Sequence, residues 1–72
     1  MKTFALLFSI DAYEREELEK MTAQELYDLA SVAGAVGYDE ASVMTLEEFS
    51  TMANNDEISL DNAWLYFVSI NQ

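Results

Sequence analysis

The sequence predicts a small two-layer α+β domain, and three observations carry that prediction. Two short apolar runs of strand composition, TFALLFSI and AWLYFVSI, occupy 3–10 and 63–70. Apolar residues between them recur at helical spacing. Two decapeptides, MTAQELYDLA and MTLEEFSTMA, share the pattern of a helix start. With 72 residues, the chain is one domain over 1–72.

The elements follow in order. In the strand at 3–10, Phe4, Leu6, Phe8 and Ile10 share one face and Ala5, Leu7 and Ser9 the other. Asp11 followed by Glu14 makes a capping-box pattern and predicts a helix over about 12–20. Leu18 and Met21 are its apolar anchors, and Glu16 and Lys20 form an i,i+4 pair. Thr22 with Glu25 starts a second helix over about 22–34. Its stripe is Leu26, Leu29, Ala30 and Ala33, with Gly34 and Gly37 as stops. ASVMT holds a short strand at about 42–44. Thr45 with Glu48 starts a third helix over about 45–54, with the stripe Leu46, Phe49, Met52 and Ala53. NNDEISLDN has the composition of a polar loop. In the strand at 63–70, Trp64, Tyr66, Val68 and Ile70 share one face, and Leu65 and Phe67 the other. The order suits a sheet, parallel or mixed if its terminal strands are neighbours, with helices on at least one face.

Composition excludes several chemistries. The chain has no cysteine and no histidine, so disulfides, Cys/His zinc sites, thiol nucleophiles and imidazole bases are absent. A net charge of −11, with only Lys2, Arg15 and Lys20 as bases, disfavours direct binding to nucleic-acid phosphates. It also disfavours an anionic membrane surface. No apolar run approaches the ~20 residues of a membrane-spanning helix. MKTFALLFSI lacks a small-x-small cleavage site and runs directly into Asp11, so a cytoplasmic protein is expected.

Acid pairs such as Glu16–Glu17 and Glu47–Glu48 lie on helix surfaces, where nothing raises a carboxyl pKa for acid–base work. The oxygen-rich loop NNDEISLDN lacks the spacing, central glycine and closing glutamate of a calcium-binding EF-hand. Gly34-Ala-Val-Gly37 matches no phosphate-cradling pattern. No catalytic residue, metal site or cofactor is expected, and the chain is read as a non-enzyme.

Both strands are apolar on both faces, more than two or three helices readily cover. Exposed apolar area of this kind marks interaction sites. The expectation is a protein–protein interaction or regulatory domain, with a partner protein or a second copy on the open face or edge of the sheet. Phe4, Trp64 and Tyr66 are the candidate hydrophobic contact. Glu16, Glu17 and Glu19 form the acidic face expected to set partner choice and association rate. The alternative is an acidic DNA mimic of the antirestriction or anti-CRISPR type, which would use Glu14, Glu16, Glu17, Glu19, Glu25 and Asp28 with Glu47 and Glu48. The repeated MTxxE pattern reads as two helix starts rather than a duplicated binding motif.

The apolar first strand, the ELYDLA helix and the stretch VMTLEEFSTMANNDEISLDNAWLYFV also carry a resemblance. They resemble short uncharacterised acidic α+β proteins of gut Bacteroides-type bacteria and their mobile elements, which pair a SLEEFxxxxN-type helix with a closing apolar strand. The likeness is strongest over the last 30 or so residues. It implies an α+β fold in a bacterial cytoplasm and supplies no catalytic residue.

Overall fold

The computed structural model describes residues 1–32, 41–55 and 60–71. Its elements are β1 (Lys2–Ser9), α1 (Arg15–Glu19), α2 (Ala23–Val32), β2 (Ala41–Thr45), α3 (Leu46–Asn54), a 3-10 turn (Leu60–Asn62) and β3 (Ala63–Ile70). This is the α+β class expected, and β3 has the expected bounds. Gly34, Gly37, Ala33 and residues 56–59 lie outside the described residues.

The sheet has the order β2-β1-β3. The terminal strands, whose order the sequence left open, are neighbours, and the sheet is antiparallel throughout rather than parallel or mixed. Lys2 faces Ile70 and Phe8 faces Trp64 on one side of β1, while Phe4 faces Thr45 and Phe8 faces Ala41 on the other. β1 is therefore central, and its six residues from Phe4 onward are all buried. That explains why its sequence is apolar on both faces rather than alternating.

Each face of β1 has its own cluster. Phe4, Leu6 and Phe8 pack with Leu18 of α1, with Leu26 and Ala30 of α2, and with Val68 and Ile70 of β3. Ala5 and Leu7 pack on the opposite face with Met44 and with Phe49, Met52 and Ala53 of α3. The two-layer arrangement holds for α1 and α2 on the sheet. α3 adds a partial third layer behind it, where an open face was expected. The total accessible surface, 4696 Å², is close to the roughly 4,500 Å² of a self-contained folded monomer of this mass.

The two decapeptides are two helix starts. Thr22 Oγ1 accepts from the Glu25 N–H at 3.2 Å, and the Thr22 N–H donates to Glu25 Oε1 at 3.0 Å, a complete capping box. Thr45 Oγ1 accepts from the Glu48 N–H at 3.2 Å. Met21 and Leu26 belong to one cluster, Met44 and Phe49 to the other, the places of a hydrophobic staple at each helix entry. Thr45 is both the last residue of β2 and the cap of α3, so no linker separates them.

The first helix is shorter than expected. Ile10 to Ala12 form a turn in which the Ser9 carbonyl accepts from the Ala12 and Tyr13 N–H groups, and Ser9 Oγ accepts from the Asp11 N–H. Asp11 is thus a turn residue and not a cap. Glu14 takes the cap position without a side-chain bond, and α1 is only five residues long. The ion pair on α1 is Arg15–Glu19 at 2.8 Å rather than Glu16–Lys20, because Lys20 lies beyond the helix as its C-cap. On α3, Leu46 is 41% exposed and falls outside the buried stripe.

Candidate functional site

Among the described residues each outer strand of the sheet leaves one edge without a partner, β2 on one side and β3 on the other, and β3 is the longer of the two. Among the described residues β3 pairs with β1 alone. The Ile10 N–H donates to the Asn62 carbonyl at 3.1 Å, which extends the same ladder by one pair. Hydrogen-bonded and non-bonded pairs alternate along an antiparallel ladder. Trp64, Tyr66, Val68 and Ile70 therefore turn their backbone groups to β1. Ala63, Leu65, Phe67 and Ser69 turn theirs outward.

Side chains along this strand divide by face. Trp64 and Tyr66 pack beside the α1–α2 cluster, and Leu65 beside the α3 cluster. Phe67 is 54% exposed, with its ring edge-on to Phe49 at a centroid distance of 5.7 Å. α3 packs mainly over β1 and β2 and reaches β3 through Phe49, so that Phe67 is covered only in part. A shallow cleft of about 230 Å3 is lined by Arg15, Ala63, Trp64, Leu65 and Tyr66. Residues from both faces of one strand line it, so it runs along the strand's outer rim.

Trp64 is fixed at this rim. Its indole N–H donates to the Tyr13 carbonyl at 3.0 Å, and the Arg15 guanidinium lies over its ring at 5.6 Å. The hydrogen bond and the charge of Glu19 hold the Arg15 pKa above its ordinary value, so Arg15 is a fixed cation. The Tyr66 hydroxyl is shut away from solvent, with the Arg15 guanidinium as its polar neighbour.

The sequence-predicted interface is only partly brought together. Phe4 is removed from it: the ring is 7% exposed and packs against Tyr27 at 4.9 Å, because α2 covers that face. Trp64 and Tyr66 are half-buried at the β3 rim. Glu16, Glu17 and Glu19 are exposed on α1, on the same side of the sheet as α2. Glu47 and Glu48 start α3 on the other side. The eight acids that would serve a charge mimic are thus split between the two sides of the sheet.

Phe67 was not singled out by the sequence, which placed it on the second face with Leu65. Its exposure follows from where α3 lies, and periodicity carries no signal for that. Every described carboxylate is exposed, and no group of three or more acids among the described residues is placed to hold a metal ion. No helix among the described residues is long and apolar enough to cross a membrane. No protein-family model, curated protein or solved structure matches the chain.

Proposed function

We propose that this chain is a non-enzymatic interaction or regulatory domain of a bacterial cytoplasm that acts by docking protein along β3. The observation that carries this reading is an eight-residue edge strand with no charge, no proline and an exposed Phe67. Natural edge strands are commonly short, or carry lysine or proline, which prevents pairing with other chains. β3 has none of these protections, and strand addition to such an edge supplies affinity through main-chain bonds and specificity through alternate side chains. The acids of α1, among them Glu16, Glu17 and Glu19, would affect how fast a partner arrives more than how tightly it holds.

The net charge also fits an acidic DNA mimic. The split of its acids between two sides of the sheet gives that reading less support than contact through β3.

Site-specific photocrosslinking tests the proposal. A photoreactive phenylalanine analogue at Phe67 should capture protein in the producing cell, and one at Glu16 should capture far less. Equal capture at both positions, or none at Phe67, would overturn it. Capture at Glu16 that vanishes with moderate salt would favour the mimic.

A further inference from the structure

We infer that the occupant of the β3 edge is a second copy of this chain, paired antiparallel about a two-fold axis at Tyr66. This rests on the interaction reading above and names its partner.

The geometry of the edge is self-complementary. The outward residues Ala63, Leu65, Phe67 and Ser69 are spaced symmetrically about Tyr66. In an antiparallel pair centred there, Ala63 faces the copy's Ser69 and Leu65 faces the copy's Phe67. Every outward N–H and C=O of the strand then has a partner, as an isologous two-fold contact requires. Registers centred on Leu65 or Phe67 leave one outward residue of each copy beyond the paired segment.

The side chains agree with this register. Directly opposed residues share a face, so each half-exposed Phe67 lies against the copy's Leu65 on the α3 side. On the other side, Trp64 faces the copy's Val68. The rim cleft beside Ala63, Trp64, Leu65 and Tyr66 lies opposite the copy's residues 66–69. The contact joins two three-stranded sheets into one of six strands.

Charge singles out the same edge. Two chains of net charge −11 repel one another in most orientations. β3 carries no charged side chain, and the residues that flank it, Asn62 and Asn71, carry none either. The nearest acid in sequence is Asp61. In this register it lies opposite the copy's Asn71, so the two Asp61 residues stand about 33 Å apart along the strands. That is several times the Debye length of about 8 Å at physiological salt. A basic partner, by contrast, would be drawn to the acidic helices rather than to this edge, whose rim cleft holds the cation Arg15.

Sedimentation equilibrium from about 1 µM to about 1 mM, the weak limit for a specific contact, should show a monomer–dimer equilibrium. Phe67→Lys should abolish it, with far-UV circular dichroism and the urea midpoint of the monomer unchanged. The chain has no native cysteine, so single cysteines report the register. Tyr66→Cys should form a disulfide dimer at least tenfold faster than Ser69→Cys. If Tyr66→Cys fails to fold, mixed Leu65→Cys and Phe67→Cys chains should cross-link to each other rather than to themselves. A monomer throughout the range, a dimer that survives Phe67→Lys, or preferred cross-linking at another position would each overturn the inference. If the pure chain is monomeric while the Phe67 photocrosslink captures a different protein, the interaction domain stands and the second copy does not. If the photocrosslink captures nothing, both fall.

Discussion

Removing the hydroxyl of Thr22 tests whether the repeated MTxxE pattern is a folding device. Thr22→Ala breaks the bond from the Glu25 N–H to Thr22 Oγ1, 3.2 Å long, and leaves the reciprocal bond from the Thr22 N–H to the Glu25 carboxylate in place. An N-cap threonine replaced by alanine costs about 1 kcal/mol. In a domain of this size that lowers Tm by about 4–8 °C. Against a total stability of about 4–11 kcal/mol, one cap is a substantial share. Thr45→Ala should cost at least as much, because Thr45 also closes β2. The two caps start helices on opposite faces of the sheet and share no partner. Their costs should therefore add, to about 2 kcal/mol, within about 0.5 kcal/mol. Urea unfolding followed by Trp64 fluorescence measures this, and Thr22→Ser should restore most of the loss. Costs for both alanine variants inside the scatter of ordinary surface substitutions, about 0.5 kcal/mol, would refute the capping argument. So would a binding defect at unchanged stability.

Other expectations are briefer. Phe8 is fully buried between both neighbouring strands, so Phe8→Ala should cost about 3–5 kcal/mol and leave the domain close to unfolded at 37 °C by thermal circular dichroism. Tyr66→Phe removes a buried hydroxyl whose polar neighbour is the Arg15 guanidinium; it should change stability by no more than about 1 kcal/mol in urea titrations. The crowd of acids repels itself, so Tm should rise by several degrees between low salt and about 0.5 M sodium chloride, where screening extends only a few Å. A flat or falling Tm would show that these carboxylates do not strain the fold.

Much of the architecture was legible because the local signals are strong. Periodicity in AWLYFVSI located β3 to the residue, and the Thr–x–x–Glu pairs located two helix starts. Asp11 misled because a capping pattern does not say whether the chain turns before the helix. Here the backbone bonds of Ser9 claim that stretch first. Strand direction was not legible either. A run buried on both faces is usual in parallel sheets, yet β1 is double-faced in an antiparallel one because α2 and α3 take opposite sides. The same fact decides the site. Phe4 looked like a contact residue until a helix covered it. Phe67 was placed only on the second face with Leu65, and its exposure was settled by α3 packing mainly over β2 and β1. Which face a helix chooses is a tertiary outcome, and no residue near Phe4 or Phe67 encodes it locally.

The ladder that sets Lys2 opposite Ile70 also governs the order of folding. β2 and α3 follow one another without a linker and can organise early against β1. The β1–β3 ladder must wait until nearly the whole chain has closed into a loop, the kind of distant pairing that slows folding. During that interval the most deeply buried strand of the protein has one side bare. Conditions that lengthen the interval, such as cold or crowded synthesis, should therefore drive aggregation well before they unfold the finished protein.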